Sequence, residues 1–214
     1  MGASTDRAPH EIWEPEIAAL EERARRRPPR DGEIVFAGSS SIRSWSTLER
    51  DMAPLPVLNR GFGGAQADAI LYFAPRIIVP SASGGLVLYA GENDLEAHNR
   101  KTAERVLADV RAIVALVEER HPAARIYLVS VKPSPARRTR WREARRLNDL
   151  LGTFAAESPR RAYLDVATPT FDARGRRRRE LFLEDGLHLS PAGYALWTAV
   201  IRPRLLADFA TGRG

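Results

Sequence analysis

The stretch EIVFAGSSSIRSW, Glu33 to Trp45, decides the fold. Ile34-Val35-Phe36-Ala37 is a short, continuous apolar run, which reads as a strand buried on both faces. Gly38 breaks the run, three serines follow, and the segment after them can open a helix. A small-residue turn at the carboxyl end of a first parallel strand is where open α/β folds place ligands and chemistry. A serine there sits near a helix N-terminus, whose N–H groups favour developing negative charge. Among the three adjacent hydroxyls, this reading selects Ser40 as a nucleophile.

Outward from this stretch, strands and helices alternate. Pro15 to Arg27 has helical spacing, with Ile17, Leu20 and Ala24 on one face, and Pro28-Pro29 stops it. Met52 to Leu58 is an apolar run with two prolines, which fits a second strand only near its start or at an edge. Asn59-Arg60-Gly61-Phe62-Gly63-Gly64 must be a loop, and a helix over Ala65 to Phe73, ending near Pro75, is expected after it. Gly85 to Ala90 is a third strand, running into Gly91-Glu92-Asn93-Asp94. Thr102 to Arg120 is a long amphipathic helix closed by His121-Pro122. Arg125 to Val131 is a fourth strand, Trp141 to Ala156 a helix, and Ala162 to Val166 a fifth strand. Ser190-Pro191 has the form of an N-cap followed by proline, opening a last helix. Near-continuous apolar strands between helices imply a parallel sheet covered on both faces. The expectation is an α/β fold, a three-layer α/β/α sandwich with five strands in the order 2-1-3-4-5. A helical segment over residues 1–30 is expected to pack on one domain spanning residues 31–210.

Composition narrows the chemistry. The chain has 214 residues, 44% hydrophobic, and no cysteine, which excludes disulfides, thiolate zinc sites and a cysteine nucleophile. The net charge of +6 comes from 33 Lys+Arg against 27 Asp+Glu, and the only lysines are Lys101 and Lys132. The N-terminal stretch lacks the apolar core of a secretory signal. No apolar run approaches the roughly 18 residues that a spanning helix needs. A soluble, cytoplasmic protein is expected. Asp94, Glu96 and His98 alternate, but they read as a solvated loop rather than a metal site. The arginine run Arg174 to Arg179 also reads as a solvated loop. No aromatic residues interleave with it, so nucleic-acid binding is not expected.

The chemistry-bearing residues lie where strands give way to loops, and in a parallel sheet such ends share one edge. A serine hydroxyl needs a base. Of the four histidines, His10 lies in an acidic segment and His121 in a helix-terminating turn. His188 has an acid three residues earlier, and Asp185 can fold back to accept the Nδ1 proton, freeing Nε2 as base. Asn93 offers a side-chain N–H to an oxyanion, and Gly64 and Ser40 offer backbone N–H groups. Arg60 and Arg137, near strand ends, are candidates to line the pocket, with salt bridging as their other fate.

The segments GSSSI, NRGFGG, GEND and DGLH, in that order, resemble the blocks of the SGNH (GDSL-type) hydrolases. The resemblance runs from about Ile34 to the last helix. It implies a flavodoxin-like fold and acyl-ester hydrolysis through a serine acyl-enzyme without metal or cofactor, on a small-molecule ester. Carried over block by block, Ser40 matches the nucleophile, Gly64 and Asn93 the oxyanion donors, and Asp185 and His188 the rest of the triad. Two positions depart from the family pattern: Ser39 stands where the family has an acid, and Ser41 where it has leucine. SSSIRSW, NRGFGG and KPSPAR also resemble a bacterial branch of the family. The reading from another class is a non-catalytic α/β module that binds a ligand or polyanion.

Overall fold

A computed structural model of the chain describes residues 10–96, 98–99 and 101–210. Five strands, β1 (Ile34–Gly38), β2 (Val57–Asn59), β3 (Gly85–Tyr89), β4 (Arg125–Val129) and β5 (Arg161–Leu164), form one sheet in the order β2-β1-β3-β4-β5. Every pairing is parallel. This is the expected α/β/α sandwich and strand order.

Helices cover both faces, and the period-two alternation of the strands divides the core accordingly. Val35 and Ala37 of β1 and Leu86 and Leu88 of β3 face one layer. That layer comprises α1 (Glu14–Arg26), α4 (Ala67–Ile77), α5 (Ala103–Arg120) and α6 (Trp141–Ala156). Ile34 and Phe36 of β1 and Val87 and Tyr89 of β3 face the other. There they meet Trp45, residues of α3 (Leu48–Met52), and Trp197, Ile201 and Leu205 of α7 (Pro191–Ala210). Trp45 and Trp197 are core residues, as fully enclosed as Phe36. Each such large apolar side chain contributes about 1.5–3 kcal/mol by leaving water.

Capping chemistry sets several boundaries. The Thr102 hydroxyl accepts from the Arg105 N–H and starts α5. The Ser190 hydroxyl accepts from the Gly193 N–H and starts α7, with Pro191 in its first turn. Two boundaries differ most from the sequence reading. Met52 ends a helix rather than opening a strand, and β2 begins only at Val57. Pro54 and Pro56 have no N–H for a ladder, and Pro56 joins the sheet edge only as an acceptor, from the Ile34 N–H at 2.9 Å. The helix after the glycine loop does not stop at Pro75 but carries it inside and runs to Ile77. Ala74, Ile77 and Ile78 are buried, so core packing carries the chain through the proline.

No helix among the described residues is long and apolar enough to cross a membrane. Residues 1–9 of the expected N-terminal helical segment lie outside the described residues. Its remainder forms a 3-10 turn, Glu11–Trp13, and α1.

Candidate active site

β1 ends at Gly38, where the chain must pass close to β3. A Cβ on Gly38 would lie 2.4 Å from the Tyr89 carbonyl oxygen. Ser40 then begins α2 (Ser40–Arg43), a single turn of 4 residues. A turn this short has little dipole. What it offers is local, because N–H groups at a helix start lack helical partners. Ser39 and Ser41, on either side, are 3% and 1% exposed, so of the three hydroxyls Ser40 is the accessible one.

The loop Phe182 to Leu189 brings a histidine to this turn. It is closed by the Leu183 N–H to the His188 carbonyl at 2.8 Å and by the Gly186 N–H to the Leu183 carbonyl at 2.9 Å. It is docked on the loop after β4 by the Ala136 N–H to the Gly186 carbonyl at 3.0 Å. Within it, Asp185 Oδ1 accepts from the N–H groups of Leu187 and His188 at 2.8 and 2.9 Å. Asp185 Oδ2 lies 2.6 Å from His188 Nδ1. His188 Nε2 lies 3.1 Å from Ser40 Oγ. The imidazole bond, aided by the two backbone donors, holds the Asp185 carboxyl down at about 2. An ionised carboxylate only accepts, so Nδ1 carries the proton and Nε2 accepts from the serine.

Two further segments reach the same edge. Gly64 adopts φ +68°, a conformation that an L side chain enters with strain. Asn93 Nδ2 donates to the Ala65 carbonyl at 2.9 Å, tying the loop after β3 to the glycine loop. Asp94 strengthens the tie. Its carboxylate accepts from the Ala67 N–H at 2.9 and 3.1 Å and pairs with Lys101. Burial pushes the Asp94 carboxyl up, and Lys101 and the Ala67 N–H work against that push.

The sequence reading overlooked a brace behind the glycine loop. Trp13 Nε1 donates to the Gly63 carbonyl at 2.7 Å, and Glu16 accepts from the Gly63 N–H at 3.0 Å. It also overlooked Glu92 and Lys132, which form a buried ion pair beneath the serine turn. A lone lysine in an apolar strand end, VSVKPSP, was the available signal.

Arg60 and Arg137 were each open to pocket lining or salt bridging, and the structure engages them differently. Arg60 is a correction. Its side chain turns away under α1, is 4% exposed, and donates to the Leu20 carbonyl at 3.5 Å. Arg137 pairs with Glu96, linking the loops after β4 and β3. In the arginine run, Arg176 pairs with Asp172, Arg178 with Glu180, and Arg177 lies over the Phe171 ring.

The profile of the GDSL-like Lipase/Acylhydrolase family matches residues 20–196. The chain belongs to that family and is an ester hydrolase. Among known proteins, platelet-activating factor acetylhydrolase IB subunit alpha1 of Bos taurus is 32% identical over 178 residues, covering 77% of this chain and 71% of the relative. The same subunit of Pongo abelii is 30% identical over 198 residues, covering 86% and 80%. Among solved structures, a GDSL-like lipase from Bacteroides thetaiotaomicron matches with a TM-score of 0.73 at 19% identity, over 94% of this chain and 98% of that one. That likeness concerns the fold.

Proposed function

We propose that the protein hydrolyses small carboxylic esters through an acyl-enzyme on Ser40. The observation that carries this reading is the continuous chain Ser40 Oγ to His188 Nε2, 3.1 Å, and His188 Nδ1 to Asp185, 2.6 Å. Ser40 Oγ attacks the ester carbonyl carbon as its proton passes to His188 Nε2. Asp185 holds the ring in the tautomer that leaves Nε2 free and stabilises the imidazolium. The tetrahedral oxyanion is held by the N–H groups of Ser40 and Gly64 and by the Asn93 side chain. One N–H of that amide binds Ala65, and an amide has two. Collapse breaks the bond to the alcohol, which leaves with the proton from His188. Water, deprotonated by His188, then attacks the acyl-enzyme, releasing the carboxylic acid and restoring Ser40.

The relatives are named as acetylhydrolases, so an acetyl ester is the substrate to test first. In an aryl acetate assay, Ser40→Ala and His188→Ala should each lower kcat on the order of 10⁴-fold or more. Asn93→Ala should lower kcat by about 10²–10³-fold, the usual effect of losing one oxyanion donor. A fluorophosphonate should label the parent and not Ser40→Ala. Hydrolysis by Ser40→Ala within tenfold of the parent (about 1.4 kcal/mol in barrier) would sink the assignment. Failure of the folded parent to take the label would favour a binding module instead.

A further inference from the structure

Directly beneath the serine turn lies a cluster of polar groups that the ester chemistry does not use. Lys132 is 2% exposed. Its ammonium pairs with Glu92, donates to Ser41 Oγ at 3.1 Å, and lies 3.3 Å from the Tyr89 hydroxyl. An ammonium has three donors, and three oxygens surround this one. Glu92 is held in turn. Its second oxygen accepts from Ser134 Oγ, and the Tyr89 hydroxyl donates to its first at 3.0 Å. The network therefore ties the ends of β1, β3 and β4 to one another. Ser41, the residue after Ser40, is gripped twice, because its carbonyl also accepts from the Tyr194 hydroxyl of α7 at 3.1 Å.

Stability alone does not account for such a pair. A buried ion pair is often no more stabilising than apolar residues of the same volume. Burial pulls the Lys132 ammonium down from its ordinary value, and Glu92 works against that pull. Nor is lysine a compositional accident in a chain whose other basic residues are nearly all arginine. A compact ammonium on a thin stem fits where a planar guanidinium would not.

We propose that Lys132, held by Glu92, is a positioning residue for the nucleophile and acts through Ser41 Oγ. This rests on the reading of Ser40 as nucleophile. By fixing Ser41 it fixes the turn that aims Ser40 Oγ at His188, and displacements of about 1 Å in such an alignment cost on the order of 10²-fold in rate.

The test uses Ser41→Ala, the paired variant Lys132→Met with Glu92→Gln, and the triple variant. The paired variant avoids leaving a buried carboxylate without its cation, and Ser41→Ala alone decides if the pair does not fold. Active sites are counted by fluorophosphonate, and kcat per site is measured on an aryl acetate. Ser41→Ala and the pair should each lower kcat by about 10–100-fold with little change in KM, as expected for lost alignment. The triple variant should be no slower than the slower of the two, because both changes remove the same contact. The proposal is overturned by a Ser41→Ala variant with parent kcat. It is also overturned by effects that multiply in the triple variant, or by a pair that melts earlier while keeping parent kcat per site. The two readings fail separately. An active Ser40→Ala removes the nucleophile assignment, whereas an inactive Ser40→Ala beside parent-like Ser41→Ala removes only the anchoring role.

Discussion

Asp185 has both carboxylate oxygens engaged, one by two backbone N–H groups and one by the imidazole. Its folded-state pKa, about 2, lies below the ordinary 3.8. Its contribution to stability is therefore complete above the unfolded value and is lost as pH falls through about 2. Asp185 thus stays ionised above about pH 4. The pH profile of kcat/KM should show an acidic limb of slope one, with no second carboxylate step above about pH 4. A limb of slope two would mean that Asp185 takes up a proton within the working range, against its lowered pKa. Asp185→Asn, which favours the wrong tautomer, should lower kcat by about 10²–10⁴-fold. At this scale, much of the site could be read from the sequence, because polar residues that interrupt apolar strand ends stand out. Arg60 could not be placed that way. It follows a strand end, but its side chain passes under α1, and residue order does not state that direction. Glu92 and Lys132 meet across two loops, a contact with no local signature.

At the scale of elements, Gly38 is a tight junction of the site. A methyl group there overlaps the Tyr89 carbonyl of β3. Gly38→Ala should destabilise the fold by about 1–3 kcal/mol, measured by denaturant unfolding, as overpacking does elsewhere. Activity should fall with it, since Ser40 is two residues on. Thr102→Ala removes the cap of α5 and should cost about 1 kcal/mol while leaving kcat intact, because that helix start lies outside the triad. Long helices were easy to read. α6 begins at Trp141 and ends at Ala156, as its apolar spacing indicates. The segment between α2 and β2 was not, because a short apolar run with prolines fits either a helix end or a strand. Ladder bonding, not composition, decides where β2 begins.

Across the whole molecule, the sheet separates two cores with different partners. Ile113 of α5 belongs to one and Ile201 of α7 to the other, and both are fully buried. Ile113→Val and Ile201→Val should each cost about 0.5–1.5 kcal/mol. Lying in separate buried clusters, they should add to within about 0.5 kcal/mol in the double variant. A larger departure in the unfolding midpoints would mean that the sheet transmits strain between layers. A parallel sheet covered on both faces was legible at this scale from the alternation of apolar strands and helices, whereas the strand order was not, because that alternation fits more than one order. The brace of Trp13 and Glu16 on the glycine loop was not, since it joins residues 50 and 47 positions apart.

Ser40 precedes His188 by 148 positions, and this separation gives the site a history. All five strands leave the ribosome before His188 does, so the serine turn is made before its proposed base. On the proposed mechanism the chain becomes reactive only when the loop before α7 closes onto that turn, and pairings of such long sequence range carry a loop-closure cost that slows folding. Catalytic competence, on that mechanism, reports the docking of this loop. On dilution from denaturant, ester hydrolysis should return no sooner than the helical signal, because chemistry waits for the loop that carries His188.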